Sequence, residues 1–68
     1  MQSESDLSIT EILEMVIPFF KGNRERAILW MLAQNEHLGN ISPVDMFHGG
    51  NGEKLAKWIE NRLSENEL

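Results

Sequence analysis

Few side chains in this 68-residue chain are of a type that does chemistry, and their spacing gathers none into a recognised motif. The two histidines, His37 and His48, each fall in a stretch that reads as loop, and neither sits in a His-x3-His or Cys/His ligand pattern. Glu11 and Glu14 share a helix face and imitate the paired carboxylates of acid–base catalysis. That face is the polar side of an amphipathic helix, where carboxylates are simply solvated. Ser42, Asp45 and a histidine have the composition of a hydrolytic triad, but Ser42 stands before a proline and is accounted for as a helix cap. Gly49, Gly50 and Gly52 precede a helix as in a phosphate loop, yet the Lys-Ser/Thr ending and the preceding strand are both missing. Cysteine is absent, so there is neither disulfide nor thiolate site. The expectation is a binding protein and not an enzyme, with no catalytic residue, no metal and no cofactor.

Charge narrows the partners. Eleven acids against six bases give a net charge of −5. The bases form two groups, Lys21, Arg24 and Arg26, then Lys54, Lys57 and Arg62. Nucleic-acid binding draws its affinity from cations that displace counterions from phosphates. The overall sign therefore argues against nucleic acid and against anionic membranes. No apolar run approaches the roughly 20 residues that cross a bilayer. The Met-Val-Ile-Pro-Phe-Phe stretch lacks the basic interleaving of a membrane anchor. The opening Met-Gln-Ser-Glu-Ser-Asp has neither the basic nor the apolar region of a secretory signal, so the expected location is the cytoplasm.

The elements that must position any site read as helices with short punctuation, an all-α fold forming a small compact bundle of about four helices. A tail over 1–7 is expected to be disordered, a single domain to span 8–64, and 65–68 to fray. Ser8 and Glu11 form a capping box. Ile9, Ile12, Leu13, Val16 and Phe20 then recur at helical spacing. Pro18 falls opposite that stripe, which leaves a kink and a clean break both open. Asn23 caps a second helix whose residues Ala27 to Ala33 are apolar around the whole circumference, the pattern of a central helix. Asn35 to Ile41 is a loop pinned by Leu38 and Ile41, with Gly39 suited to positive φ. Ser42 as cap and Pro43 at the first position open a short helix, which the glycines after His48 end.

The last helix, from about Gly52 to Leu63, buries Leu55, Ala56, Ile59 and Leu63 and wets Glu53, Lys54, Lys57, Glu60 and Asn61. Trp58 and Arg62 lie at the border of its apolar stripe, one turn apart. Trp and Arg are the residues most enriched in interface hot spots, so Leu55, Trp58 and Arg62 are the expected partner-binding residues. The alternative is that Trp58 is core and Arg62 only stacks on it.

From Gly22 to Leu63 the chain resembles the toxin-binding domain at the C-terminus of Xre/MbcA/ParS-type antitoxins. That family has an alanine and a tryptophan in one helix, an Asn-x-x-Leu-Gly loop, Ser/Thr-Pro opening a short helix with two apolar residues, then a glycine and a final helix. Ala27, Trp30, Asn35, Leu38, Gly39, Ser42, Pro43, Met46, Phe47 and Gly52 occupy those places, over about two thirds of the chain. Asn40 stands where the family often has a second glycine, and the final helix runs into Ser64-Glu65 where glycine is common. About twenty residues precede the matching segment, too few for the family's DNA-binding part. The resemblance implies a free-standing inhibitor that blocks a RES-type, NAD-consuming toxin through its C-terminal helix.

Two other functions remain. An excess of apolar residues (Val16, Ile17, Phe19, Phe20, Leu29, Trp30) suits a homodimeric structural or regulatory protein of phage or plasmid type. A helix-turn-helix DNA binder is the weakest reading, because the joining loop is long and the charge is of the wrong sign.

Overall fold

A computed structural model describes residues 7–68, and among these it is helical without a strand. Helix α1 spans Ile9–Val16, α2 Arg24–Leu32, α3 Pro43–Met46 and α4 Gly52–Ser64. Three of these are true helices, while α3 is a single turn.

The starts follow from local chemistry. Ser8 Oγ accepts the Glu11 N–H and Glu11 Oε1 accepts the Ser8 N–H, which closes the expected capping box at α1. Asn23 Oδ1 accepts the Arg26 N–H at 3.1 Å to open α2. Ser42 Oγ accepts the Asp45 N–H at 3.0 Å, with Pro43 at the first position of α3, where its missing N–H costs nothing.

The ends are more uniform than the sequence suggests. Pro18 neither kinks α1 smoothly nor breaks it: the chain tightens into a 3-10 turn over Ile17–Phe20, with Pro18 exposed. The turn closes when Gly22 N–H reaches the Ile17 carbonyl and Lys21 N–H the Pro18 carbonyl. This six-to-one and five-to-two pair is a Schellman closure, and it puts Lys21 in the left-handed region at φ 60°. The loop after α2 repeats the device: Asn40 and Gly39 donate to Asn35 and Glu36, with Gly39 at φ 79°. At the end of α4, Glu67 and Asn66 donate to Arg62 and Leu63, with Asn66 at φ 58°. Residues 65–67, expected to fray, donate hydrogen bonds back to the last turn, and Leu68 packs against the core. The expected disordered tail lies outside the described residues except for Leu7, which also packs against the core.

Ile12 and Val16 of α1, Ala27 and Met31 of α2, and Leu55 and Ile59 of α4 form the buried core. Burying one such aliphatic side chain is worth roughly 1.5–3 kcal/mol. α1 lies between the other two long helices and packs on both. The expectation that α2 is central is therefore corrected. It buries one narrow stripe and turns Ile28, Leu29 and Leu32 to solvent, Leu29 at 66% and Leu32 at 59% exposure. Ile41, expected to pin the loop with its side chain, is exposed as well, and its carbonyl does the pinning by accepting the Asn35 N–H.

Between α3 and α4 the chain makes a wide turn over Phe47–Asn51, with Gly50 at φ 90°. Gly52 then starts α4 directly against the Phe47 ring. A Cβ there would come within 2.9 Å of Phe47 Cδ1.

Candidate functional site

Two tryptophans far apart in sequence meet on one side of the molecule. Trp30 projects from α2 and Trp58 from α4. Their rings stack with planes 12° apart and centroids 6.4 Å apart, within the range of offset stacking. One turn beyond Trp58, Arg62 lays its guanidinium over the indole, Cζ 5.3 Å from the ring centroid. His37, from the 3-10 turn Glu36–Leu38 between α2 and α3, brings its imidazole to 6.4 Å from the same ring. Trp30, Trp58 and Arg62 are half-buried, while His37 is exposed. Neither tryptophan nor arginine is sealed inside the subunit.

The local fold explains the placement. Leu55 and Ile59 are fully buried against α1, which fixes the rotation of α4 and leaves Trp58 on the boundary. His37 is held by Asn35, whose Oδ1 accepts the His37 N–H at 2.9 Å. The Asn35 carbonyl accepts the N–H groups of Leu38 and Asn40, and its own N–H bonds to the Ile41 carbonyl at 3.1 Å. One asparagine therefore shapes the loop that carries the imidazole to the stack.

The Arg62 Nε–H is buried and has no acceptor among the described residues. An unmet donor of this kind costs on the order of 1–3 kcal/mol. The cation–π contact returns roughly 0.5–2 kcal/mol, depending on how far the pair is desolvated. The cluster thus places a cation over an aromatic ring with one buried donor, Nε–H, unmet among the described residues.

Of the residues expected to bind a partner, Trp58 and Arg62 come together at this surface. Leu55 does not: it has no exposed area and is part of the core. Trp30, singled out as part of the fold motif, belongs to the surface cluster too. The other motif positions do structural work. Asn35, Leu38 and Gly39 build the loop, Ser42 and Pro43 open α3, and Gly52 yields space to Phe47. His37 was missed as a neighbour of Trp58, because a contact across 21 residues leaves no local spacing to detect. Beside the stack runs an open groove of about 460 Å³, lined by Phe20, Arg26, Leu29, Trp30 and Ala33.

The other candidate chemistry does not assemble. Glu11 and Ser42 are engaged as caps, and His48 is exposed with its ring against Phe47. Among the described residues no three His, Asp or Glu side chains gather as a metal site. No helix among them is long and apolar enough to cross a membrane.

Comparison with protein-family models, curated proteins and solved structures finds no match.

Proposed function

We propose that this protein is a small binding module, without chemistry of its own, that engages a protein partner through the Trp30–Trp58–Arg62 surface. The observation that carries this reading is the stacked and incompletely satisfied Trp58–Arg62 pair on α4. These are hot-spot residue types, preorganised at a half-buried position. The resemblance from Gly22 to Leu63 supports an antitoxin-like role in the cytoplasm, with inhibition of a RES-type, NAD-consuming toxin through α4. Co-expression with a candidate toxin of that type tests it. Growth should recover with the native chain and fail to recover with Trp58→Ala/Arg62→Ala. Arrest undiminished by the native chain counts against the toxin assignment.

A second reading is favoured by one observation. The outward face of α2 presents Ile28, Leu29 and Leu32 beside an almost wholly apolar groove of about 150 Å³, lined in part by Ile9, Leu13, Met31 and Val44. Such a face suits a second copy of the chain, as in a homodimeric structural or regulatory protein. Of the residues first assigned to a dimer, Val16 is excluded by complete burial, while Leu29 is available. Light scattering across a concentration series separates the cases: a monomer at the highest concentration removes the dimer.

A further inference from the structure

We propose that Arg62, with its guanidinium over the Trp58 ring, is a receptor for an acidic side chain of the protein partner. This inference rests on the interaction surface proposed above and names the group that surface recognises.

Three observations lead to it. First, Arg62 is half-buried with its guanidinium over the indole, Cζ 5.3 Å from the ring centroid; its Nε–H is buried, so a partner must use the terminal N–H groups. A guanidinium stacked on a ring keeps its fork of N–H groups in its own plane, where a carboxylate docks edge-on without disturbing the stack.

Second, the bases of this acidic chain are not spread evenly. Arg26 precedes Trp30 by one turn and lines the adjoining groove with it. Lys54 precedes Trp58 by one turn of α4, and Arg62 follows it by one. Trp58 is thus bracketed by cations at helical spacing and Trp30 is preceded by one, in a molecule whose net charge is −5.

Third, the apolar groove on the Trp30 side of the stack suits a protein segment better than a polyanion. The groove beside Trp30 offers Phe20, Leu29 and Ala33. A nucleic acid would have to release counterions at many phosphates to gain affinity, against the field of the whole chain. One carboxylate embedded in an apolar contact needs only one local cation.

Trp30 and Trp58 are the only tryptophans and tyrosine is absent, so both indole N–H resonances and all the tyrosine-free fluorescence report on this surface. The test selects peptides from a displayed random library with free C-termini against the folded chain. The winners are then synthesised and titrated while emission and indole shifts are followed. A requirement for a free C-terminus would overturn the assignment, whereas selected peptides should carry an Asp or Glu carboxylate beside an apolar residue. Replacing that group by its amide should weaken binding by about tenfold or more. Arg62→Met should weaken it similarly, with circular dichroism unchanged and the acid-over-amide preference lost, whereas Arg62→Lys should keep part of that preference. If peptides shift both indole resonances but bind equally well as amides, the carboxylate inference fails and the interaction surface stands. If no peptide is selected, or selected ones leave the indoles unmoved, both fail. Tighter binding of a short oligothymidylate than of any acidic peptide overturns the assignment in favour of single-stranded nucleic acid.

Discussion

Helices α2 and α4 contribute one tryptophan each to the same stack, yet they handle their apolar residues in opposite ways. α4 sends Leu55 and Ile59 fully inward and keeps Glu53, Lys54, Lys57, Glu60 and Asn61 in water. α2 is richer in apolar residues, but only Ala27 and Met31 are buried, and Leu29 and Leu32 face out. The difference lies in neighbours. α4 is gripped by α1 and by the turn from α3, whereas α2 packs on α1 and α3 with its outer side free. Apolar residues all round a helix therefore report two things at once, the stripe that is buried and the stripe left for something else to cover.

The largest effect expected from this contrast is at Leu55. Truncation to alanine removes a fully buried side chain from the middle of the core. Such changes cost about 2–5 kcal/mol, and a chain of this size has little more than that to lose. Urea denaturation of Leu55→Ala should show a largely unfolded population. Leu29→Ala, the same chemical change on α2, should change the unfolding free energy by no more than about 0.5 kcal/mol in a monomer. A cost at Leu29 comparable to that at Leu55 would mean that the α2 face is covered in solution, and it would also depend on protein concentration.

A smaller effect is expected where α3 hands over to α4. Gly52→Ala places a methyl 2.9 Å from Phe47 Cδ1. The ring or the helix start must shift, at about 1–3 kcal/mol. Paired with Phe47→Leu, the same substitution should cost less than the sum of the two single changes. Strict additivity in thermal unfolding would show that the contact is not what keeps glycine at this position.

Much of this was legible in the sequence, and the residues show why. Ser8, Asn23 and Ser42 announce helix starts because a cap needs only a short polar side chain and the few residues after it. The inward face of α4 follows from a 3.6-residue period that Leu55, Ile59 and Leu63 satisfy. The centrality of α2 was misjudged because periodicity has nothing to say about a helix apolar on every side; only neighbours decide which stripe is buried. Of the candidate site, Trp58 and Arg62 were readable as a one-turn pair, but their meeting with Trp30 and His37 is set by tertiary packing. Leu55 was assigned to the interface because a border position and a core position differ by less than one residue step around the helix. Two helix endings went unread for a different reason. Lys21 and Asn66 occupy the left-handed position that glycine usually signals.

Those two endings supply the finest test of the same contrast, since one leads into α2 and the other closes α4. Both residues hold positive φ, 60° at Lys21 and 58° at Asn66, within the same six-to-one and five-to-two hydrogen-bond pattern. A side chain with a Cβ pays roughly 1–2 kcal/mol in that region, whereas asparagine visits it far more readily. Glycine escapes the clash but loses about 0.5–1 kcal/mol through its freer unfolded state. Lys21→Gly should therefore raise stability by about 0.5–1 kcal/mol, and Asn66→Gly should change it by a few tenths at most. Differential scanning calorimetry should show a rise of several degrees for the first and almost none for the second. A rise of equal size at both positions would mean that asparagine gains nothing from its local hydrogen bonding there. No rise at Lys21 would mean that the chain does not hold this residue left-handed in solution, and that α2 is entered by a different turn.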